Sequence, residues 1–180
     1  RLARMHDVHV FALHQEAAAG RWKLAGATVH NVGDGWTRLR AIAAIRTEHR
    51  RAPFDLVHAI FSGSCSLVAV AAAKLLRLPS LVHIAGGELV ALREIEYGGH
   101  RKWKGRLREA WVLRGADVIT AASAPIIDSL QALGLKAQRV PLGVDLWTGP
   151  QLAPRERRAR EARLIHVASL NRVKHQPTLL

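Results

Sequence analysis

A histidine close to a glycine pair is the first place in this chain where chemistry could reside. In LVHIAGGELVALREIEYGG, Leu81 to Gly99, His83 ends an apolar run and stands three residues before Gly86 and Gly87. Imidazole gains and loses a proton near neutral pH, so it can serve as acid, base or hydrogen-bonding group. Glycines let a ligand approach the backbone closely. A hydrogen-bonded histidine leading into a tight turn would use the same residues, and their spacing alone leaves both roles open. Glu88 and Glu96, eight positions apart, fit the solvated edge of a helix.

Other constellations are weaker. The glycines form neither GxxxxGK(S/T) nor GxGxxG, so no phosphate loop is expected. No GxSxG elbow supports a serine nucleophile. His6, His9 and His14 lack metal-ligand spacing on the strand they share, and no CxxC accompanies them, so no metal is expected. His58, inside FDLVHAI, is expected to be a core histidine with its hydrogen bonds satisfied. Cys65 is the single cysteine. It cannot form an internal disulfide, which fits a reducing compartment, and it is expected to be a small buried filler.

For His83 to meet a ligand, a strand must carry it to the edge of a sheet. In open parallel sheets ligands bind beyond the carboxyl ends of the strands. Short β-rich runs alternate with helical stretches here, which predicts βαβ units and a parallel sheet. Strands are expected at DVHVFAL, ATVHNV, FDLVHAI, SLVHI, ADVITAA and AQRVPL. Helices are expected over Trp36 to Arg51, with Leu39, Ile42, Ala43 and Ile45 as its apolar positions, over Leu67 to Leu76 with Ser64 as cap, and over Lys102 to Arg114. Another follows Ser123, with Pro125 just inside it and Gly134 as its terminal glycine. Residues 1–146 thus read as one α/β domain, and 147–162, rich in Pro, Gly and Arg, as a linker. LIHVASL and the helix beginning at Gln176 read as the opening of a second domain over 163–180. The chain starts at Arg1 without an initiator methionine and stops within a helical pattern, so it is expected to be a fragment.

Hydrophobic residues make up 49% of the 180, enough for a real core. Lys and Arg number 27 against 14 Asp and Glu, a net charge of +13 that attracts phosphate in any form. The stretch HRKWKGRLREAWVLRG places Lys and Arg around Trp103, Leu107, Trp111 and Leu113. That pattern suits an anionic membrane surface, and equally a solvated face over a buried stripe. No uninterrupted apolar run reaches the ~18 residues of a membrane span.

Taken in order, RLARMHDVHVFAL, FDLVHAIFSGS, PSLVHIAGGE, RGADVITAASAPIIDSL, VPLGVD and LIHVASLNRVKHQPTLL resemble family 4 glycosyltransferases, the retaining GT-B enzymes. The resemblance spans nearly the whole chain. It implies the Rossmann-like acceptor-binding half of a GT-B fold, followed by the start of a donor-binding half. A hexosyltransferase-type reaction is implied, in which a nucleotide sugar gives its sugar to a carbohydrate or lipid-linked acceptor with retention of configuration and without a metal or other cofactor. His83 falls on the family's cleft histidine, near the transferred sugar. Gly86, Gly87, Glu88 and Arg93, just beyond it, become acceptor-binding candidates. The donor diphosphate is held in the family by an Arg and, five positions later, a Lys. Lys174 matches the Lys, Ser169 stands where the Arg is expected, and Arg172 lies between them as a substitute.

The resemblance further implies polysaccharide or glycolipid synthesis in the cytoplasm, with a peripheral place at the inner face of the membrane as a further expectation. The isolated fragment is expected to be inactive. Two other readings stand beside this one: a GT-B sugar-nucleotide epimerase, and a basic nucleic-acid-binding α/β module. The charges are scattered over several helices without a recognition motif, so no nucleic acid is expected as partner.

Overall fold

The computed structural model describes residues 2–89 and 103–143, with Ile165, Val167 and Thr178 as isolated positions. β1 (His9–Ala12), β2 (Gly20–Leu24) and β3 (Ala27–Asn31) form a three-stranded sheet in the order β1-β3-β2. After it come α1 (Thr37–Arg51), β4 (Val57–Ile60), α2 (Ser64–Leu76), β5 (Ser80–Ile84), α3 (Trp103–Gly115), β6 (Val118–Ala121), α4 (Ala124–Ala132) and β7 (Gln138–Arg139). Strands β4 to β7 lie side by side in chain order, all parallel. Parallel neighbours need long crossovers, and the intervening helices supply them. The architecture is α/β with a Rossmann-like parallel sheet, as the alternation of strand and helix predicts.

One strand departs from that expectation. β2 runs antiparallel to β3 and joins it through Ala25 and Gly26, both at positive φ (48° and 86°). A two-residue turn of this kind matches the twist of the flanking strands. β2 left little trace in the sequence because it is an edge strand exposed along most of its length.

Local signals explain the helix ends. Ser123 precedes α4 in extended conformation and Pro125 lies in its first turn. At the other end Gly134 adopts φ 72°, the N–H of Leu135 donates to Leu130, and that of Gly134 donates to Gln131. These two bonds close a Schellman motif, which needs a residue tolerant of the left-handed region. α2 differs from expectation at its start. It begins at Ser64 with Gly63 as its cap residue, and no side chain caps it. Cys65, in that first turn, is exposed rather than buried. The apolar weight of α2 falls on Val68, Ala69, Val70, Ala72 and Ala73 one turn later, which leaves the first turn at the rim.

Two clusters form the core. Val70 of α2, Val112 and Leu113 of α3 and Leu130 of α4 pack with Val82, Ile84, Ile119 and Ala121, alternate residues of β5 and β6. Ala41 and Ile45 of α1 meet Val32 and, on α2, Val68 and Ala72, with Phe11 and Phe54 at the edge. In α1 the buried positions are Ala41, Ile45 and Glu48, whereas Leu39 faces solvent. The other face of the four-stranded sheet is more open: Ile60 is 49% and Val118 42% exposed. His58 shares that face two residues before Ile60 and is exposed. It is therefore not the core histidine expected from its strand. β4 is an edge strand whose partner is β5 alone, so only Ala59 is buried. The linker over 147–162 and the strand and helix expected at 163–180 fall outside the described residues, apart from the isolated positions.

Candidate active site

His83 is the fourth residue of β5, which lies between β4 and β6. The backbone there is pinned on both sides: Phe61 N–H donates to the His83 carbonyl at 2.8 Å and Ala122 N–H to that of Ile84 at 3.0 Å. Across the ladder His83 stands opposite Thr120. That register is reinforced at the start of the two strands. Asp117 accepts hydrogen bonds from the Ser80 N–H and hydroxyl at 2.8 and 2.6 Å, and its own N–H donates to the Ser80 hydroxyl. The Ser80 hydroxyl, then its N–H, holds the Asp117 carboxyl below the usual carboxylate range.

The consequence at the other end is a fixed imidazole. His83 Nδ1 lies 2.8 Å from Thr120 Oγ1, and both residues are only 6% exposed. A threonine hydroxyl can donate or accept, so it anchors either tautomer. His83 Nε2 is buried and has no hydrogen-bond partner among the described residues. Burying such an atom without a partner costs about 1–3 kcal/mol. A bound hydroxyl or phosphate oxygen would remove that cost.

His58, on the neighbouring strand, has its pKa lowered first by desolvation and then by the proximity of His83. Although exposed by area, its ring is shielded enough for that first effect to count. Beyond β4, the buried Ser62 hydroxyl donates to the carboxylate of Glu109 in α3 at 2.9 Å. Ser66 bonds back to the Phe61 carbonyl and tightens the same turn. A buried carboxylate thus ties α3 to the loop between β4 and α2.

The family model for the glycosyl transferase 4-like domain matches residues 1–143. The chain belongs to this family. No curated protein matches it. For a glycosyl transferase 4-like domain the parallel sheet and its helices are the expected scaffold, and the match places the chain in a glycosyltransferase family.

Within the domain, the candidate residues do not all come together. Gly86 and Gly87 follow β5 directly, and Gly87 opens a short 3-10 turn, Gly87–Leu89, that includes the Glu88 backbone. Arg93, Ser169, Arg172 and Lys174 lie outside the described residues. Thr120, Ser62 and Glu109 were not expected from the sequence. Glu109 carried a signal nonetheless, as the only acidic residue in the basic helix α3. Thr120 carried none, since its role follows from a register between strands 37 residues apart.

Proposed function

We propose that this domain is the acceptor-binding half of a glycosyltransferase that moves a hexose from a nucleotide sugar with retention of configuration. The observation that carries the reading is the anchored His83 ring, with its Nε2 partnerless among the described residues, near the carboxyl end of a central parallel strand. A hydroxyl of the transferred sugar would satisfy that nitrogen and fix the reacting carbon. The acceptor O–H then attacks the anomeric carbon on the face from which the nucleoside diphosphate leaves. The bond to the diphosphate oxygen breaks with its electron pair going to phosphate, and the acceptor proton passes to that phosphate. Lys174, with Arg172 or Ser169, would stabilise the leaving charge. Gly86, Gly87, Glu88 and Arg93 would bound the acceptor.

A lipid-linked acceptor is favoured by the outer face of α3. Trp103 and Leu107 are each 60% exposed and Trp111 45%, spaced four residues apart and so on one stripe, with Lys104 and Arg106 exposed beside them. Interfacial tryptophans among basic residues suit a surface carrying anionic lipid. No helix among the described residues is long and apolar enough to cross a membrane.

The test is donor consumption by the protein that carries this domain, over a panel of nucleotide sugars. One donor should be consumed, and His83→Ala and Lys174→Ala should each lower turnover while the protein stays folded. Consumption unchanged by either substitution would remove the assigned sites, and no consumption at all would remove the function.

A further inference from the structure

The three-stranded sheet holds a cluster that the transferase reading does not use. His9 of β1, His30 of β3 and Glu48 of α1 each turn one ligand-capable atom towards the others, all within 4.8 Å of one another. His9 Nδ1 and His30 Nε2 are 3.1 Å apart. His30 is 7% and Glu48 9% exposed. Buried polar groups inside a sheet-and-helix interface need a reason, because apolar residues would pack there without desolvation cost.

We propose that His9, His30 and Glu48 form a structural site for a zinc-class divalent transition ion that ties β1, β3 and α1 together. Two imidazoles and one carboxylate form a donor set suited to zinc, with a water completing the tetrahedron. Zn–N bonds of ~2.0–2.1 Å place tetrahedral ligand atoms about 3.3 Å apart, so the two ring nitrogens already stand at nearly that spacing. A small ring rotation turns their lone pairs from each other to a shared ion, and Glu48 has at most about 1.5 Å to close.

The surroundings hold the ligands in place. Phe11 stacks on His30 with centroids 4.6 Å apart, and Phe54 meets His9 edge-on at 5.2 Å. Asp7 Oδ2 lies 3.7 Å from His9 Nε2, where a carboxylate favours the tautomer that leaves Nδ1 free to ligate. Without an ion, Glu48 pairs with Arg51 at 2.8 Å and Arg21 at 3.5 Å. The Arg21 side chain is 55% exposed, so displacing it costs little. Arg51 can stay as a donor to the other carboxylate oxygen.

The experiment is Zn2+ titration of the chain with calorimetry and thermal melting, and X-ray absorption of the loaded protein. One equivalent should bind and raise the melting temperature, and the spectrum should show two imidazoles and a carboxylate oxygen. His30→Ala and Glu48→Gln should each weaken binding at least tenfold, while His14→Ala, an exposed histidine outside the cluster, should leave it unchanged. If His30→Ala fails to fold, the ligand set seen by absorption in the unaltered chain decides. Absence of stoichiometric binding, a spectrum with fewer than two imidazoles, or equal affinity in Glu48→Gln would overturn the proposal. None of these outcomes depends on glycosyl transfer.

Discussion

Thr120→Val tests whether the His83 ring is held by the hydroxyl and not only by packing. The substitution keeps the branched shape on β6 and removes the partner 2.8 Å from Nδ1. Both residues are 6% exposed, so water is a poor replacement. Loss of the bond, together with a buried ring nitrogen left unsatisfied, costs about 1–3 kcal/mol. At about 2 kcal/mol, a domain of this size melts ~4–8 °C lower. Urea or thermal unfolding measures that loss, and a double-mutant cycle assigns it: in a His83→Phe background, Thr120→Val should cost much less. Long-range nitrogen NMR of the imidazole should also report a changed tautomer balance. A cost of the same size in both backgrounds, with an unchanged ring spectrum, would refute the anchoring argument.

Other consequences are equally direct. Gly33→Ala should destabilise by more than ~1 kcal/mol in denaturant unfolding, because φ is 71° and a Cβ would stand 2.7 Å from the Ala17 carbonyl oxygen. Asn31→Ala should expose the loop around residues 15–18 to proteolysis and hydrogen exchange, since its side chain bonds Gln15 N, Glu16 O and Ala18 O. The lowered Asp117 pKa adds stability above the ordinary carboxylate value of ~3.9, lost as pH falls through the lowered one. Ser80→Ala should therefore differ most from the unaltered chain at neutral pH and converge with it in acid. His30 and His58, with pKa values lowered below ~6.5, act in the same direction: stability is full above that value and declines as pH drops below it. Trp103→Ser with Trp111→Ser should abolish binding to anionic vesicles at low salt, and unchanged binding would remove α3 from the membrane reading.

How far the sequence foretold these features varies with the range of the interaction. β5 was legible to the residue because an apolar run sits between Pro79 and a glycine pair. The ends of α4 were legible because Pro125 and Gly134 act within a few residues of themselves. His83 stood out by its place beside glycines, whereas Thr120, Ser62 and Glu109 are joined only by pairings 37 and 47 residues apart. The apolar residues around His58 suggested burial, but an edge position with an open face exposed it. β2 lacked apolar alternation because little of it is covered. Glu48 illustrates the opposite failure: a charged residue buried among partners that no helical pattern reveals.

Four strands have one partner each among the described residues, β1 and β2 in one sheet and β4 and β7 in the other. Of these, β1 and β4 each offer a row of N–H and C=O groups without a ladder, next to apolar Val10 and Ile60, which are 45% and 49% exposed. Edges of this kind act as templates for strand addition. In concentrated solution the domain should self-associate through these edges. Lysine at position 10 or 60 would act as a gatekeeper and keep the preparation monodisperse.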